Sequence, residues 1–303
     1  MLRKHTIERP LLISIVLNGA IALTEFVGGL LSHSLALMSD ALHNFSDFIA
    51  LIVSFIASRV MHWENNEKKS YGYFRVEILA AFINSVALVL IGVYIIYEAI
   101  SRLSTPVEIQ SRLMIIIAAI GFVANVVSVL LLHPHRGESL NARSAFLHLM
   151  TDALESAAVI ITALLISLFN LHILDAVVSI AIGLLIIKSS WDLLLESVNI
   201  LTEGSPKGID LNEVAQFIKS FPDIKGVHHL HIWSLSTNFR ALSAHIVVED
   251  MRLSSATEIT TRLDRELSER FGIDHPTFQL EAEPCEENLI SQFRDRNHAA
   301  SRK

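Results

Sequence analysis

The sequence predicts an α-helical membrane protein with six transmembrane helices and a C-terminal cytoplasmic α/β domain of order αββαβ. The 303 residues are 51% hydrophobic and only 18% charged, and the mean hydropathy is +0.47. Six apolar segments each approach the roughly 20 residues that cross a bilayer. Residues 206–303 hold 12 Lys or Arg and 15 Asp or Glu, whereas the preceding 205 residues, twice as many, hold 12 and 16. We therefore expect a transmembrane domain over 1–205, a cytoplasmic domain over 206–285 and a disordered tail over 286–303.

The predicted transmembrane helices follow one another with short connections. The first apolar segment contains Glu25 and lacks an A-x-A cleavage pattern, so we expect a retained helix and not a signal peptide. Basic residues concentrate on alternate connections, which places both termini in the cytoplasm by the positive-inside rule. The six segments cover about 11–31, 36–58, 78–100, 113–132, 144–168 and 174–200.

Beyond Pro206 the pattern changes to that of a soluble α/β unit. "GIDLNEVAQFIKSF" has helical spacing with Asp210 as N-cap, and "SSATEITTRLDRELSERFG" predicts a second helix that is opened by serines and ended by Gly272. "GVHHLHIWSLS", "ALSAHIVVE" and "PTFQLEAE" predict three strands. Strict alternation along the first strand would put His229 and His231 on one face and His228 on the other.

Composition argues against a nucleic-acid partner and against a metal site built from cysteines. A net charge of −7 with a pI near 6.0 and no basic stripe argues against a nucleic-acid partner. The single cysteine, Cys285, forms no internal disulfide and builds no thiolate cage alone. Any metal chemistry must therefore come from histidines and carboxylates.

The second segment, "SLALMSDALHNFSDFIALIVSFI", carries Asp40, His43 and Asp47. A charge at the centre of a transmembrane helix costs roughly 2.5–3.5 kcal/mol, so such residues face a cavity, a partner or an ion. His43 and Asp47 are four residues apart and share a helix face, because side chains at i and i+4 lie one above the other.

The fifth segment repeats the His-x-x-x-Asp spacing with His148 and Asp152. Either pair alone is also consistent with hydrogen bonding between helices. Two identical pairs, with no Lys or Arg within either central span, favour a metal site, and two imidazoles with two carboxylates supply the four ligands of tetrahedral zinc.

The stretches "SHSLALMSDALHNFSD", "YGYFRVEILAAFIN", "NARSAFLHLMTDALES", "ILTEGSPKGID" and "VHHLHIWSLSTNFRALSAHIVV" resemble segments of the cation diffusion facilitator family, particularly its zinc-transporting branch. The similarity extends from about Arg9 to Cys285. The resemblance implies a homodimer of six-helix protomers with a metallochaperone-like C-terminal domain, which exchanges zinc for protons. It places the family's transport site on the same four residues, His43, Asp47, His148 and Asp152.

The resemblance also implies a metal-sensing and dimerisation role for the C-terminal domain. The family's cytoplasmic zinc site maps to His228, His245 and Glu281, with Gln279 where some relatives have histidine and Glu258 as a further potential ligand. Some relatives carry a second metal site in the loop between the second and third segments. It is expected to be missing here, because Lys69 and Tyr73 stand where those relatives have histidines.

The expected function is divalent metal export by Zn²⁺/H⁺ antiport with alternating access, without enzyme activity and without a cofactor. Zn²⁺ is expected as transported substrate and as regulatory ligand, and Cd²⁺, Co²⁺, Ni²⁺ and Fe²⁺ remain open as further substrates. The other expected partners are protons, the lipid bilayer and a second copy of the chain, in a bacterial inner membrane. A membrane zinc sensor and a passive metal channel are the alternatives. An intramembrane metalloprotease is disfavoured, because the sequence has no His-Glu-x-x-His helix.

Other ionisable residues are given weaker roles. Glu25 and Asp40 are expected to line the aqueous pathway. Glu155 is expected either to relay protons or to hydrogen-bond across helices. By resemblance, Arg75 before the third segment and Glu203 after the sixth correspond to a basic-acidic pair that joins the two protomers in some relatives, with a surface ion pair of little consequence as the alternative. His62, Glu64 and Glu67 favour a solvated loop, and His133 with His135 makes a poor metal trap.

Overall fold

The computed structural model describes residues 5–60, 63, 65–105, 107–133, 140–284 and 289–290. Within helices, the side chains of 5–18, 51, 54–55, 57–58, 131–132, 140–145 and 148 are not among those described. All six predicted apolar segments are helical. The helices are α1 (His5–Ser32), α2 (Leu35–Val60), α3 (Arg75–Ser104), α4 (Ser111–Leu132), α5 (Leu140–Phe169) and α6 (Ile173–Leu201).

Four helices are long and apolar enough to cross a bilayer within the described part of the chain: Arg75–Ser104, Ser111–Leu130, Leu149–Phe169 and Ile173–Leu201. They correspond to the third to sixth predicted segments. The described side chains of α1 form a shorter apolar stretch, Gly19–Ser32, and α2 carries Asp40, Asp47 and Arg59 along its 26 residues. That α1 and α2 also span the membrane remains a prediction.

Small residues let the long helices approach one another closely. α1 packs on α2 and α4, α4 packs on α5, and α2 packs on α5. A Cβ added at Gly28 would lie 2.7 Å from Ile117 of α4, and one added at Gly29 would lie 2.9 Å from the backbone of Met38 in α2. Such close contact is the usual means of association between helices in lipid, where the hydrophobic effect does not hold them together. The two helices that carry the His-x-x-x-Asp pairs, α2 and α5, also pack against each other.

The C-terminal part has the predicted αββαβ order. It comprises α7 (Leu211–Lys219), β1 (Ile224–Ser236), β2 (Phe239–Val248), α8 (Leu253–Phe271) and β3 (His275–Glu281). β1 pairs with β2 antiparallel, and β2 pairs with β3 in parallel through the α8 crossover. Its core joins the apolar sides of both helices to one face of the sheet, through side chains that include Val214, Ile218, Leu230, Ile232, Leu242, Ile246, Leu263 and Leu267.

The ends of the two short helices follow from their sequence. The Asp210 carboxylate accepts the backbone N–H of Asn212 at 2.7 Å and so caps α7 as predicted. Gly272 ends α8 with a φ of 62°, the left-handed conformation that glycine adopts without strain. The serines do not cap the start of α8: Arg252 occupies the N-cap position and makes no side-chain capping bond.

The chain divides into two compact units, Met1–His62 with Ala80–Leu194, and Trp63–Leu79 with Leu195–Lys303. The loop before α3 and the end of α6 thus belong with the C-terminal part. Phe74 stacks on Phe239 with ring centroids 4.8 Å apart, and Arg75 pairs with Glu203 at 2.9 Å. Cys285 and most of the predicted disordered tail lie outside the described residues, but the Leu289 carbonyl accepts the N–H of Leu230 at 2.9 Å.

Candidate metal centres

His43 and Asp47 of α2 meet Asp152 of α5 inside the helical unit. The His43 Nε2 atom lies 3.9 Å from Asp47 Oδ2 and 3.8 Å from Asp152 Oδ1. One ligand atom from each residue lies within 4.8 Å of the others. Ligands about 2 Å from a tetrahedral zinc ion are roughly 3.3 Å apart, so these three atoms need only a small contraction to bind one ion.

The fourth predicted ligand, His148, lies on α5 one turn before Asp152. Its side chain is outside the described ones, so its place beside the other three ligands remains a prediction. The helical spacing puts it on the Asp152 face of α5.

A buried polar network adjoins this cluster. Ser156 donates to the Asp40 carboxylate at 3.2 Å, and Asn44 donates to the Glu25 carboxylate at 2.7 Å. A Cβ at Gly121 of α4 would collide with the Glu25 carboxylate in its present position, so a larger residue there would require the Glu25 side chain to shift. Asp40 and Glu25 are each 1% exposed, and Glu155 is also buried.

The second cluster lies on the sheet of the C-terminal unit. Glu281 accepts from both neighbouring imidazoles, with 3.0 Å from its Oε2 to His228 Nε2 and 2.8 Å from its Oε1 to His245 Nδ1. His228 and His245 are paired across β1 and β2, and Glu281 is paired with Val247 two residues further along β2. All three side chains therefore share the sheet face opposite the helices. Gln279 is not one of the three clustered residues. Its side-chain amide donates a hydrogen bond to Glu281 Oε1 at 2.8 Å.

The prediction that His229 and His231 share one face of β1, with His228 on the other, was wrong, because His228 lies on the same face as His231. His228 pairs with His245 and His231 pairs with Ser243, so β1 has one extra residue between them, which is a β-bulge. His229 is the extra residue and has a φ of 50°. Its ring stacks on His245 with centroids 4.5 Å apart, while His228 and His231 share one face.

The other predicted candidates are not members of the two clusters found among the described residues. Burial, together with nearby His229 and His245, lowers the pKa of His231 below its ordinary value. Glu258 is exposed on α8. His62, Glu64 and His135 lie outside the described residues. In the described part of the first loop, Tyr73 packs against Trp63 with ring centroids 5.5 Å apart.

Both clusters combine imidazole nitrogens and carboxylate oxygens, the ligands that suit Zn²⁺ and similar divalent ions. Each imidazole must be neutral to bind a metal, so metal binding competes with protons for the same atoms. The carboxylates of the first cluster also need a positive charge nearby, because a buried anion without a counterion is costly.

Comparison with protein families gives two matches. Residues 11–202 match the cation efflux transmembrane domain, and residues 206–283 match the cytoplasmic domain of cation efflux proteins. Among curated proteins, the chain is 38% identical to the cadmium, cobalt and zinc/H(+)-K(+) antiporter of Bacillus subtilis, with 96% of each chain covered. It is 37% identical to the metal cation efflux system protein CzcD of Cupriavidus metallidurans, over 94% of this chain and 90% of that protein. It is 36% identical to the zinc transporter ZitB of Escherichia coli, over 91% of this chain and 88% of that protein.

Proposed function

This chain belongs to the cation efflux, or cation diffusion facilitator, family, and on that premise we propose that it exports Zn²⁺ in exchange for protons. Members of the family are integral membrane transporters and not enzymes. The observation that carries the proposal is the convergence of His43, Asp47 and Asp152 between α2 and α5. His148 completes an N₂O₂ set on the same pair of helices, and Zn²⁺ is the transported substrate, not a resident cofactor.

Proton exchange follows from the chemistry of these ligands. Zn²⁺ binds the neutral imidazole and the carboxylate form of the site, and protonation of the same atoms expels it. The site loads zinc while it is open to the cytoplasm, the helices move, and protons from the other side displace the ion. The proton gradient then drives export by alternating access.

The names of the relatives indicate a range of transported cations. Their names include zinc, cadmium and cobalt as substrates and protons and potassium as counter-ions. We propose Zn²⁺ as the main substrate and Cd²⁺ and Co²⁺ as further ones, since His and carboxylate ligands accept all three. Ni²⁺ and Fe²⁺ remain predictions from ligand type alone.

The C-terminal domain is proposed as a zinc-responsive dimerisation domain. The His228, His245 and Glu281 cluster presents two nitrogens and one carboxylate in hydrogen-bond contact, so an ion that replaces the shared protons needs little rearrangement. Zinc bound there would favour the homodimer and bias the membrane domains through linkage. Both termini are proposed to lie in the cytoplasm of a bacterium, with the protein in the inner membrane.

The test uses purified protein in sealed liposomes with an imposed proton gradient, with zinc and internal pH followed together. We expect zinc and proton fluxes of opposite direction that disappear in Asp152→Ala. Zinc flux without proton movement would indicate a channel. Zinc binding without flux, in correctly inserted protein, would indicate a sensor, and both outcomes would overturn the antiporter.

A further inference from the structure

The first turn of α2 is held by an aspartate from another helix. The Asp175 carboxylate of α6 accepts the N–H of Leu35 at 2.8 Å through Oδ2 and the N–H of Ala36 at 3.2 Å through Oδ1. Ser34 donates its hydroxyl to Asp175 Oδ1 at 2.6 Å and accepts the N–H of Leu37 at 3.1 Å. The first three N–H groups of α2 are thus all satisfied by two side chains.

This arrangement is stronger than an ordinary serine cap. Free N–H groups at a helix start carry partial positive charge, and a carboxylate there forms charge-assisted hydrogen bonds. Asp175, Ser34 and Leu35 are each at most 1% exposed. Since water does not replace a lost partner at such a buried position, α2 is held to α6 as long as Asp175 keeps its charge.

The position of this contact matters for access to the metal centre. α2 begins here, and α5 ends at Phe169, immediately before the turn that starts α6. Asp175 therefore joins α2 to the α5–α6 hairpin at one end of the bundle, and α2 and α5 supply the metal ligands. His43 lies about 12 Å along α2 from Leu35, at 1.5 Å per residue. Separation of the starts of α2 and α6 would therefore loosen the helix that carries His43 and Asp47.

The neighbouring elements carry charged and titratable groups of their own. Arg102 of α3 interacts electrostatically with Asp175, pairs with Glu98 at 3.0 Å and donates to the His33 carbonyl at 2.7 Å. His172 accepts the N–H of Ile109 at 3.2 Å through Nδ1, which joins the α3–α4 connection to the turn before α6. None of the predicted metal ligands is among these partners within the described residues.

We propose that Asp175 is a positioning residue that closes this end of the bundle and opens it when the carboxylate binds a proton. In the proposed topology this is the outer end, so external protons would release α2 from α6 and let the metal leave. The inference rests on the proposed antiport for its direction, but the closure itself does not depend on transport. The proton enters from outside, resides on an Asp175 oxygen and weakens the bonds to Leu35 and Ala36.

The experiment measures access to α2 and not flux. In a Cys285→Ser background, Ser39→Cys places a near-isosteric thiol at a fully buried position in the second turn of α2. A membrane-impermeant thiol reagent is added from outside to proteoliposomes of the full chain. Leu171→Cys, which is exposed in the turn before α6, corrects for the reactivity of the thiol at each pH. Asp192→Asn, an exposed position of α6, is the matched control.

We expect Asp175→Asn to speed labelling of the α2 thiol by about tenfold at neutral pH, the factor that corresponds to the loss of a good helix cap. With Asp175 present, labelling should rise as external pH falls, and in Asp175→Asn it should be fast and independent of pH. Ser34→Ala should give an intermediate rate, and its combination with Asp175→Asn should add nothing. Zinc binding to the purified variants checks that they are folded.

Equal labelling of the parent and Asp175→Asn, or unchanged pH dependence in Asp175→Asn, would overturn the proposal. If Asp175→Asn fails to fold, Ser34→Ala provides the test. Labelling of the α2 thiol in Ser34→Ala as slow as in the parent would contradict the proposed closure. Failure of antiport appears separately, as absent coupled flux in the parent protein.

Discussion

Asp152 is the most enclosed of the three described candidate ligands between α2 and α5. Its side chain is 6% exposed, against 15% for His43 and 29% for Asp47. A carboxylate so far from water needs a cation or a proton to balance its charge. Among the described ligands it should therefore contribute most to metal affinity.

Replacement of Asp152 by asparagine keeps the size of the side chain and removes its charge. We expect Asp152→Asn to weaken zinc binding by more than the roughly 10–100-fold that the loss of a supporting outer group costs. Calorimetric titration of the detergent-purified protein measures this, with Asp192→Asn as the control for an exposed aspartate. Affinities for the two variants within a factor of three would contradict the assignment.

At the level of elements, the bulge in β1 decides which histidines meet. An extra residue in one strand shifts the following side chains by one position, so a strict alternation predicts the wrong face beyond it. His229 absorbs the shift in a left-handed conformation that non-glycine residues adopt at a cost. In this conformation the ring of His229 stacks on the ring of His245, which belongs to the candidate metal cluster of the sheet.

Two substitutions at His229 separate backbone strain from the lost ring. His229→Gly and His229→Ala both remove the stacking on His245, but only glycine fits the positive φ without strain. We expect the glycine variant to be more stable by about 1 kcal/mol in the free energy of unfolding. Hydrogen exchange of β1 peptides in the full-length protein measures the difference, and equal protection in the two variants would show that the bulge is not strained.

In the molecule as a whole, two clusters of candidate metal ligands lie in two separate units. One is enclosed by helices and uses two carboxylates with histidine, and the other lies on a sheet face and uses one carboxylate with two histidines. Zinc can be both the transported substrate and a regulator only if each cluster binds its own ion. Their independence can be tested by disabling the sheet cluster alone.

Glu281→Gln removes the carboxylate that bonds His228 and His245 and leaves the helical cluster intact. We expect one zinc ion fewer per chain in equilibrium dialysis and a transport curve shifted to higher zinc concentration, with the maximal rate retained. Glu258→Gln, at an exposed position of α8 in the same domain, is the control. A lost ion with an unchanged transport curve would remove the regulatory role.

Periodicity, composition and local motifs were enough to predict the helices and strands, the αββαβ order and the family. The repeated charges in apolar helices also singled out His43, Asp47 and Asp152 as candidate ligands, and their side chains lie close together, but metal binding by them stays a prediction. Three features were visible only in the folded chain: the β-bulge at His229, the hydrogen bond from Gln279 to Glu281 and the hydrogen bonds between Asp175 and the start of α2. These depend on strand register and on contacts between residues distant in sequence, as Ser34 and Asp175 are, and no local pattern encodes such pairings.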